Sequence, residues 1–471
     1  MNNANLSGSV WYPEKMVENT RDSVHYRGYC TTRFHAENEN TIAQNIVRLY
    51  LSPHKTYPDT ILDKYIEEGE AEYKQKLHPK QKAAIKMFCK NMVAVLTGGP
   101  GTGKTTVLKL TVYVLRKLLP KTEIAFAAPT AKAAKVISAA TGEQAFTLHK
   151  RLALSYDKED PDFFSGDILF VDESSMLDNA LASKLTRALV SGKRLFFVGD
   201  TAQLPSVGEG AVLRDIINSR CIPVTQLTKT FRQSSESGLL KNISLIREGK
   251  FLVQKDDFIL ISEDQKKEQD IIEDMVSCYE KECLRWGKEN VCMILPYRKK
   301  GICSDLLNRI IQERTNNRPG LQIETPDGEI CFRLGDFVMQ LTNRAECSNG
   351  DTGKVVAVTD YSITVEYEDS CVQYAIDELQ QLTLAYAITV HKSQGSEYAS
   401  VIMGVFNSHE NMLAKNLLYT GITRAKKKCT LFYQTKALQK AISTETSADR
   451  KTFLAEKIIY AREQIKMRYG I

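Results

Sequence analysis

The chain has 471 residues, 43% of them hydrophobic and 25% charged, which is the composition of a globular protein with roughly two to four domains. Lys and Arg number 63 against 57 Asp and Glu, and a net charge of +6 permits a nucleic-acid partner without implying one. Eleven cysteines without a Cys-x-x-Cys pair argue against a disulfide framework or a zinc site. There is no signal-peptide pattern and no apolar run near the roughly 20 residues that span a bilayer, so we expect a cytoplasmic protein.

The N-terminal region, residues 1–75, is expected to be an accessory helical segment. Its stretches ENTIAQNIVRLYL (40–52) and TILDKYIEEGEAEYKQKL (60–77, running just past that boundary) carry apolar residues at helical spacing.

Residues 76–230 are predicted to form an α/β domain. Short apolar runs predict buried strands at 92–98, 124–129, 168–173 and 194–200. A helix is predicted over 104–119. Continuous apolar strands that alternate with helices are typical of a parallel sheet covered on both faces.

The stretch GGPGTGKTT (98–106) matches the P-loop pattern between an apolar strand and a helix, which is the context the motif requires. Its glycines let backbone N–H groups approach phosphate oxygens, and the helix N-terminus favours negative charge. Lys104 is expected to neutralise the β- and γ-phosphates of ATP, and Thr105 to ligate Mg²⁺. The predicted nucleotide-binding residues of this loop are Gly98, Gly99, Pro100, Gly101, Thr102, Gly103, Lys104, Thr105 and Thr106.

Other catalytic candidates follow the P-loop. Asp172 and Glu173 end the strand ILFVDE, where the first carboxylate can hold Mg²⁺ and the second can polarise water. Gln203, in GDTAQLPSVGEG, can sense the γ-phosphate, and Arg232 and Arg424 can act as arginine fingers. Taken singly, these residues also fit a solvated strand end, a polar loop and surface salt bridges.

A second α/β domain is predicted from residues 231–319 and 379–471. Its strands are expected at 257–262, 291–297, 382–390, 398–406 and 429–435. Between its two parts, residues 320–378 read as short strands divided by turns, with no helix among them. That pattern predicts a small antiparallel β-barrel inserted in the second domain.

Nine motifs in fixed order resemble those of the RecD-like helicases of superfamily 1, in the branch that moves 5′ to 3′ on single-stranded DNA. They are KLHPKQKAAI, GGPGTGKTT, AAPTAKAAK, FTLHKRL, LFVDESSMLD, GDTAQLPSVGEG, LTKTFRQ, LAYAITVHKSQGSEY and YTGITRAK, within residues 76–435. The resemblance implies two RecA-like domains with an SH3-like barrel in the second.

The resemblance also assigns roles to residues. It implies that Gln81 reads adenine, that Gln203, Arg232 and Arg424 contact the γ-phosphate, and that Glu397 faces the ribose or the domain interface. The DNA-binding residues it implies are Pro129, Thr130, Lys132, Thr147, His149, Asn343, Thr389, His391, Lys392 and Ser393. In TVHKSQGSEY (389–398), hydrogen bonds to a DNA backbone are then favoured over a nucleophilic His391–Ser393 pair, and a structural role for His391 stays open.

Family members often carry a hairpin pin that splits the duplex. The candidate here is SYDKEDPDFFSGD (155–167), within 152–167, with Asp160–Pro161 as its turn, and a plain connecting loop is the alternative.

The expected function is an ATP- and Mg²⁺-dependent DNA helicase that acts on single-stranded DNA and on junctions of single- and double-stranded DNA. Partners from recombination or repair are also expected, and membrane association is not. One alternative is a translocase that remodels DNA without separating strands, and another is a Dda-type helicase with a longer pin and tower. A third is a nucleotide-gated ATPase for which DNA is only a trigger.

Overall fold

The computed structural model describes residues 23–26, 29–154, 160–231, 237–325, 328–445 and 450–469. Within them the helices are α1 Arg33–Tyr50, α2 Asp59–Glu72, α3 Pro79–Lys90, α4 Lys104–Leu118, α5 Ala131–Thr141, α6 Leu148–Arg151, α7 Asn179–Ala188, α8 Val212–Ser219, α9 Gly238–Arg247, α10 Glu268–Trp286, α11 Ser304–Thr315, α12 Lys415–Ile422, α13 Thr435–Ser443 and α14 Leu454–Tyr469. Short 3₁₀ helices cover Ser174–Met176, Lys288–Asn290, Ile376–Gln381 and Asn407–His409.

The strands are β1 Ser23–Tyr26, β2 Tyr29–Thr32, β3 Val93–Gly98, β4 Ile124–Ala128, β5 Ala145–Thr147, β6 Ile168–Val171, β7 Arg194–Gly199, β8 Val224–Leu227, β9 Phe258–Ser262, β10 Val291–Leu295, β11 Gly320–Thr325, β12 Gly328–Arg333, β13 Phe337–Gln340, β14 Thr352–Val358, β15 Ser362–Glu366, β16 Cys371–Ala375, β17 Leu382–Leu384, β18 Ala387–Thr389, β19 Tyr398–Val405 and β20 Ala425–Tyr433.

The first α/β unit is a six-stranded parallel sheet in the order β5-β4-β6-β7-β3-β8. The four strands β3, β4, β6 and β7 are buried along their whole length, because helices cover both faces of the sheet. One face packs on a core that includes α1, and the other on a core that includes α2, α3 and α4. This confirms the predicted parallel sheet.

A second parallel sheet has the order β18-β10-β19-β20-β9. Between β10 and β18 the chain forms the hairpin β11-β12 and an antiparallel sheet in the order β16-β15-β14-β13-β17. Antiparallel strands therefore lie where the sequence predicts them, whereas the SH3-like identity of this insertion stays a prediction, as do the domain boundaries.

The run LTLAYAITV (382–390), predicted as one strand, is divided between two sheets. Leu382–Leu384 pairs with β13 of the antiparallel sheet, and Ala387–Thr389 pairs with β10 of the parallel sheet. The buried amide of Asn308 stabilises the break, because its Nδ2 donates to the Leu384 and Ala387 carbonyls at 3.0 and 2.9 Å. Its Oδ1 accepts the Ala387 N–H at 2.7 Å.

The two ends of the described chain both contribute to the first α/β unit. Helix α14 buries Leu454, Ile458 and Ala461 in the core that contains α1 and α8. The sequence analysis placed this segment in the second domain, whereas the helix buries its apolar residues, spaced three to four apart, in the core against the first sheet. The helical prediction for 1–75 holds for α1 and α2, but the β1-β2 hairpin precedes them. In the described residues no helix is long and apolar enough to cross a membrane.

Candidate active site

Four neighbouring strands of the first sheet carry the candidate catalytic segments at their carboxyl ends. In the order β6-β7-β3-β8, these strands lead into Asp172–Glu173, Asp200, the P-loop and the segment that ends at Phe231. Because carboxyl ends of parallel strands share one edge, the fold brings these segments together, and such an edge is where α/β sheets bind ligands.

The P-loop has the conformation of a phosphate cradle. Gly101 and Gly103 have φ values of +71° and +82°, which favour glycine, and α4 begins directly after Gly103. Lys104 Nζ donates to the Gly98 carbonyl at 2.7 Å and to the Gly99 carbonyl at 3.4 Å. The ammonium thus contacts its own loop, on the side of Gly98 and Gly99, and Thr105 is exposed at the start of the helix.

Gln81 lies against this loop. Its Oε1 accepts the His78 N–H at 2.9 Å, and its Nε2 donates to the Thr102 carbonyl at 3.3 Å. A Cβ on Gly103 would collide with Nε2 of Gln81. From the other side, the Phe231 N–H donates to the Gly101 carbonyl at 2.7 Å. Gln81 is therefore next to the loop, and its role in reading adenine stays a prediction.

Asp172 and Glu173 form an acidic pair directly after β6. Burial and the neighbouring charge of Glu173 raise the pKa of Asp172 to about 7, and the charge of Lys104 opposes this rise. Glu173 has φ +49° and ψ +38°, a left-handed conformation that costs about 1–3 kcal/mol and is typical of functional sites.

Carboxylate and threonine hydroxyl oxygens suit Mg²⁺, which takes oxygen ligands and keeps several waters. Asp172 and Thr105 would hold the ion. Among the described residues no group of three or more His, Cys, Asp or Glu side chains could hold a metal.

The second α/β unit contacts the first at this edge. Tyr419 on α12 donates its hydroxyl to Asp200 Oδ2 at 2.6 Å. Burial and the Asp200 carboxylate raise the pKa of Tyr419 well above its usual range, so the hydroxyl stays protonated. The same hydroxyl lies 3.1 Å from the point where a Cβ would stand on Gly99. In addition, the Leu204 N–H donates to Thr420 Oγ1 at 2.8 Å. Tyr419 and Thr420 therefore both join α12 to the P-loop edge.

The three residues predicted to contact the γ-phosphate differ in their hydrogen bonding. Gln203 is buried, and within the described residues its Oε1 has no hydrogen-bond partner. Arg424 is also buried, and it donates to the Thr420 and Ser396 carbonyls at 3.0 and 3.3 Å and to a threonine hydroxyl. Its guanidinium is thus engaged within its own unit. Arg232 lies outside the described residues, and all three roles stay predictions.

The predicted DNA-binding residues of the two units meet in one region. Gly395 has φ +74°, and a Cβ there would lie 3.4 Å from Thr130 Oγ1 and 3.5 Å from the Ala133 N–H. Lys132 Nζ lies 5.6 Å from the centroid of the Tyr398 ring, and burial lowers its pKa. Pro129, which directly follows β4 and precedes Thr130, is half-buried. The loop 389–398 therefore abuts the start of α5.

A second group of these residues links the first unit to the antiparallel sheet. His149 and Asn343 line one cavity together with Lys184. Asn343 Oδ1 accepts the Asn349 N–H at 2.9 Å, and Asn349 Oδ1 accepts from Lys392 Nζ at 2.6 Å. Hydrogen bonds thus connect Asn343 to Lys392 through Asn349, and His149 lines the same cavity as Asn343.

Other residues in these motifs stabilise their own loops. Ser393 is fully buried and donates to the Val390 carbonyl at 2.7 Å, so in this arrangement its hydroxyl does not face a ligand. Thr389 Oγ1 accepts the Lys392 N–H, and Thr147 Oγ1 caps α6. Burial lowers the pKa of His391, which favours the neutral ring.

Glu397 forms an ion pair with Lys426 at 3.0 Å on the second unit, and its predicted contact with the ribose stays untested. Of the candidate pin, residues 155–159 lie outside the described residues, and 160–167 contain no strand.

Three residues at this edge were not predicted: Asp200, Tyr419 and Arg247. Asp200 and Tyr419 lie inside motifs already quoted, and their side chains could have been singled out there. Arg247 lies in α9, where no motif marks it, and its position depends on how the two units pack.

Two family models match the chain. The model described as an AAA domain matches residues 76–259, and the model described as a UvrD-like helicase C-terminal domain matches residues 384–432. They match the segments that carry the P-loop and the Tyr419 helix.

Named relatives agree with these matches. The ATP-dependent RecD2 DNA helicase of Deinococcus radiodurans is 32% identical over 389 residues, which cover 81% of this chain and 52% of the relative. The RecD subunit of the RecBCD enzyme of Mycobacterium tuberculosis is 27% identical over 399 residues, which cover 74% of this chain and 68% of the subunit. The chain thus spans about half the length of the RecD2 relative.

Solved structures show the same fold. A Pif1 helicase from Bacteroides in complex with ADP-AlF₃ and single-stranded DNA has a TM-score of 0.53 at 20% identity, over 84% of this chain and 98% of that one. A structure describing DNA unwinding at forked duplex DNA by two coordinating Pif1 helicases has a TM-score of 0.52 at 21% identity, over 84% and 97%. Motif order, fold and relatives agree, and the chain belongs to the RecD-like helicases of superfamily 1.

Proposed function

We propose that the chain is an ATP-dependent DNA helicase that moves 5′ to 3′ on single-stranded DNA and separates duplex at junctions. The observation that carries the proposal is the contact of Tyr419 with both Asp200 and Gly99. A helix of the second α/β unit therefore touches the phosphate loop of the first, so a bound nucleotide has direct access to the interface of the two units.

The nucleotide chemistry is assigned to the residues at this edge. Backbone N–H groups of 101–105 bind the phosphates, and Lys104 leaves the Gly98 and Gly99 carbonyls to neutralise the terminal oxygens. Glu173 orients the attacking water as its general base. Mg²⁺ held by Asp172 and Thr105 supplies charge neutralisation on the phosphates. Gln203, Arg232 and Arg424 read the γ-phosphate, which makes closure of the cleft depend on it.

Movement follows from the position of the strand-binding residues. Thr130 and Lys132 belong to the first unit, and the loop 389–398 that abuts them belongs to the second. Closing and opening the nucleotide cleft changes the spacing of these two contacts, so the strand is gripped alternately. The grip is to phosphate and sugar, since a motor cannot depend on sequence, and binding weakens steeply with salt.

The nucleotide assignment is tested with Lys104→Ala. We expect ATP hydrolysis and unwinding to be lost while binding of single-stranded DNA is kept, because only the phosphate contact is removed. Lys121→Ala is the matched control, since Lys121 is exposed just before β4, at the opposite edge of the sheet. Hydrolysis at the wild-type rate in Lys104→Ala would remove the P-loop from the mechanism.

Polarity and strand separation are tested on paired duplexes with a 5′ or a 3′ single-stranded tail. We expect unwinding only of the 5′-tailed duplex. Unwinding of the 3′-tailed duplex alone would refute the direction. Displacement of a protein block from a 5′-tailed strand without unwinding would support the translocase alternative, and DNA-stimulated hydrolysis without movement would support a DNA-triggered ATPase.

The proposal also covers the setting of the enzyme. Ten cysteines in the described residues are free thiols, which fits the reducing environment of a cytoplasm. Partners from recombination or repair remain part of the proposal.

A further inference from the structure

Arg247 is an arginine at the P-loop edge to which the sequence analysis gave no role. It is the last residue of α9, and this helix packs against α12 and β20 of the second unit. Its Nη1 lies 3.7 Å from the point where a Cβ would stand on Gly99. Arg247 also lines a cavity with Thr201, Ala202 and Tyr419, which confirms its position at the interface of the two units.

Gly99 marks the end of the cradle that receives the terminal phosphate. Lys104 Nζ contacts the Gly98 and Gly99 carbonyls, and the P-loop lysine is the group that reaches the β- and γ-phosphates. A cation that touches Gly99 is therefore on the γ-phosphate side of the loop. The adenine side is elsewhere, where Gln81 contacts Thr102.

The guanidinium of Arg247 is available for a ligand. Across the described ranges, no carboxylate lies within ion-pair distance of it, and it takes part in no hydrogen bond there. Two acidic side chains in the same region have other partners. Glu445 pairs with Lys415 at 2.5 Å, and Asp200 accepts the Tyr419 hydroxyl at 2.6 Å. The arginine is also exposed, so its long side chain can adjust to a ligand.

We propose that Arg247 binds the γ-phosphate of ATP from the second unit, as a cationic contact in addition to Lys104 and the predicted Arg232 and Arg424. This inference rests on the proposed ATPase function. The planar guanidinium can donate two hydrogen bonds to one phosphate, which an ammonium cannot match. Arg247 therefore distinguishes ATP from ADP and favours a closed cleft only while the γ-phosphate is present.

The experiment compares the full chain with Arg247→Ala and Arg247→Lys. Equilibrium titrations use the imido analogue of ATP and ADP, both with Mg²⁺, and hydrolysis of ATP is followed in parallel with single-stranded DNA. The matched control is Arg285→Ala, because Arg285 is an exposed arginine on α10 that stacks on Trp286. Thermal unfolding of all variants is measured alongside.

We expect Arg247→Ala to weaken binding of the ATP analogue about 10- to 100-fold, as for loss of a charge-assisted hydrogen bond, and to change ADP binding less than about twofold. Arg247→Lys recovers part of the loss, and Arg285→Ala matches the wild type. Equal losses for ATP analogue and ADP, or no loss for either, would overturn the inference.

These results separate the inference from the proposed function. If Lys104→Ala abolishes hydrolysis while Arg247→Ala keeps the wild-type preference for the ATP analogue over ADP, only the role of Arg247 fails. If Lys104→Ala hydrolyses ATP normally, the proposed function fails and the inference fails with it.

Discussion

The buried ion pair between α1 and α14 gives a sharp prediction for stability. Lys457 Nζ lies 3.0 Å from Glu39 Oε2 and donates to the Ala36 carbonyl at 2.9 Å. The two side chains are only 6% and 8% exposed. In Lys457→Ala the Glu39 carboxylate stays buried and keeps the Phe453 N–H as a donor to its Oε1 at 3.2 Å, but it loses its counterion.

The expected loss follows from this geometry. Removing one partner of a buried pair costs about 3–5 kcal/mol, because the other charge is left desolvated without its counterion. A unit of 150–250 residues loses about 2–4 °C in Tm per kcal/mol, so we expect a fall of roughly 6–20 °C. In Glu39→Gln/Lys457→Met the charge is gone and the volume is filled. Such replacements are often neutral, and the double variant is therefore expected to be more stable than the single one.

Scanning calorimetry and urea unfolding measure these differences. Lys466→Ala is the matched control, because Lys466 is an exposed lysine on the same helix, and such surface changes stay within about 0.5 kcal/mol. The reasoning is refuted if the free energy of unfolding of Lys457→Ala lies within about 1 kcal/mol of the wild-type value, because a difference of that size is close to that of ordinary surface changes. It is also refuted if the double variant is as unstable as the single one, since the cost would then come from packing and not from the unpaired carboxylate.

Two further changes act at the nucleotide edge. Tyr419→Phe removes the 2.6 Å hydrogen bond to Asp200, and a hydrogen bond to a charged group is worth about 1.5–3 kcal/mol. We therefore expect the KM for ATP to rise about tenfold or more. An unchanged KM in steady-state hydrolysis would contradict this expectation. In Gly103→Ala the alanine would have to adopt φ +82°, and its Cβ would collide with Nε2 of Gln81. We therefore expect loss of nucleotide binding. Gly142→Ala is its control, because Gly142 has φ +75° with nothing within 4 Å of an added Cβ, and equal binding losses in both variants would show that backbone strain alone is responsible.

Much of the first unit could be predicted from local patterns. The strands at 93–98, 124–128, 168–171 and 194–199 are continuous apolar runs, and only burial on both faces of a parallel sheet accommodates them. The P-loop has a fixed glycine spacing, so its position and conformation also follow from the local sequence.

The features that were missed depend on long-range packing. The break between β17 and β18 is stabilised by Asn308, which lies more than 70 residues earlier in the chain. Helix α14 buries its apolar residues in the core of the first unit and pairs Lys457 with Glu39, which lies more than 400 residues earlier in the chain. Arg247 has no local pattern, since an exposed arginine at a helix end is ordinary. In each case the deciding contact is with a residue that no local window contains.

The packing of α14 has a mechanical consequence for the proposed motor. Among the described elements, β8 of the first α/β unit is followed by α9 of the second, and a second crossing leads from α13 back to α14 on the first unit. After the second crossing, Arg450 donates to the Ser206, Gly208 and Gly210 carbonyls at 2.7–2.9 Å, in the loop that follows Gln203. Opening the cleft would separate Tyr419 from Asp200 but leave these Arg450 contacts in place, because Lys457 fixes α14 to the first unit. The loop that carries Gln203 is therefore bound by Arg450 on one side, and its other side contacts α12. A motion of the second unit then changes the surroundings of Gln203 without displacing its loop, as a residue that senses the γ-phosphate requires.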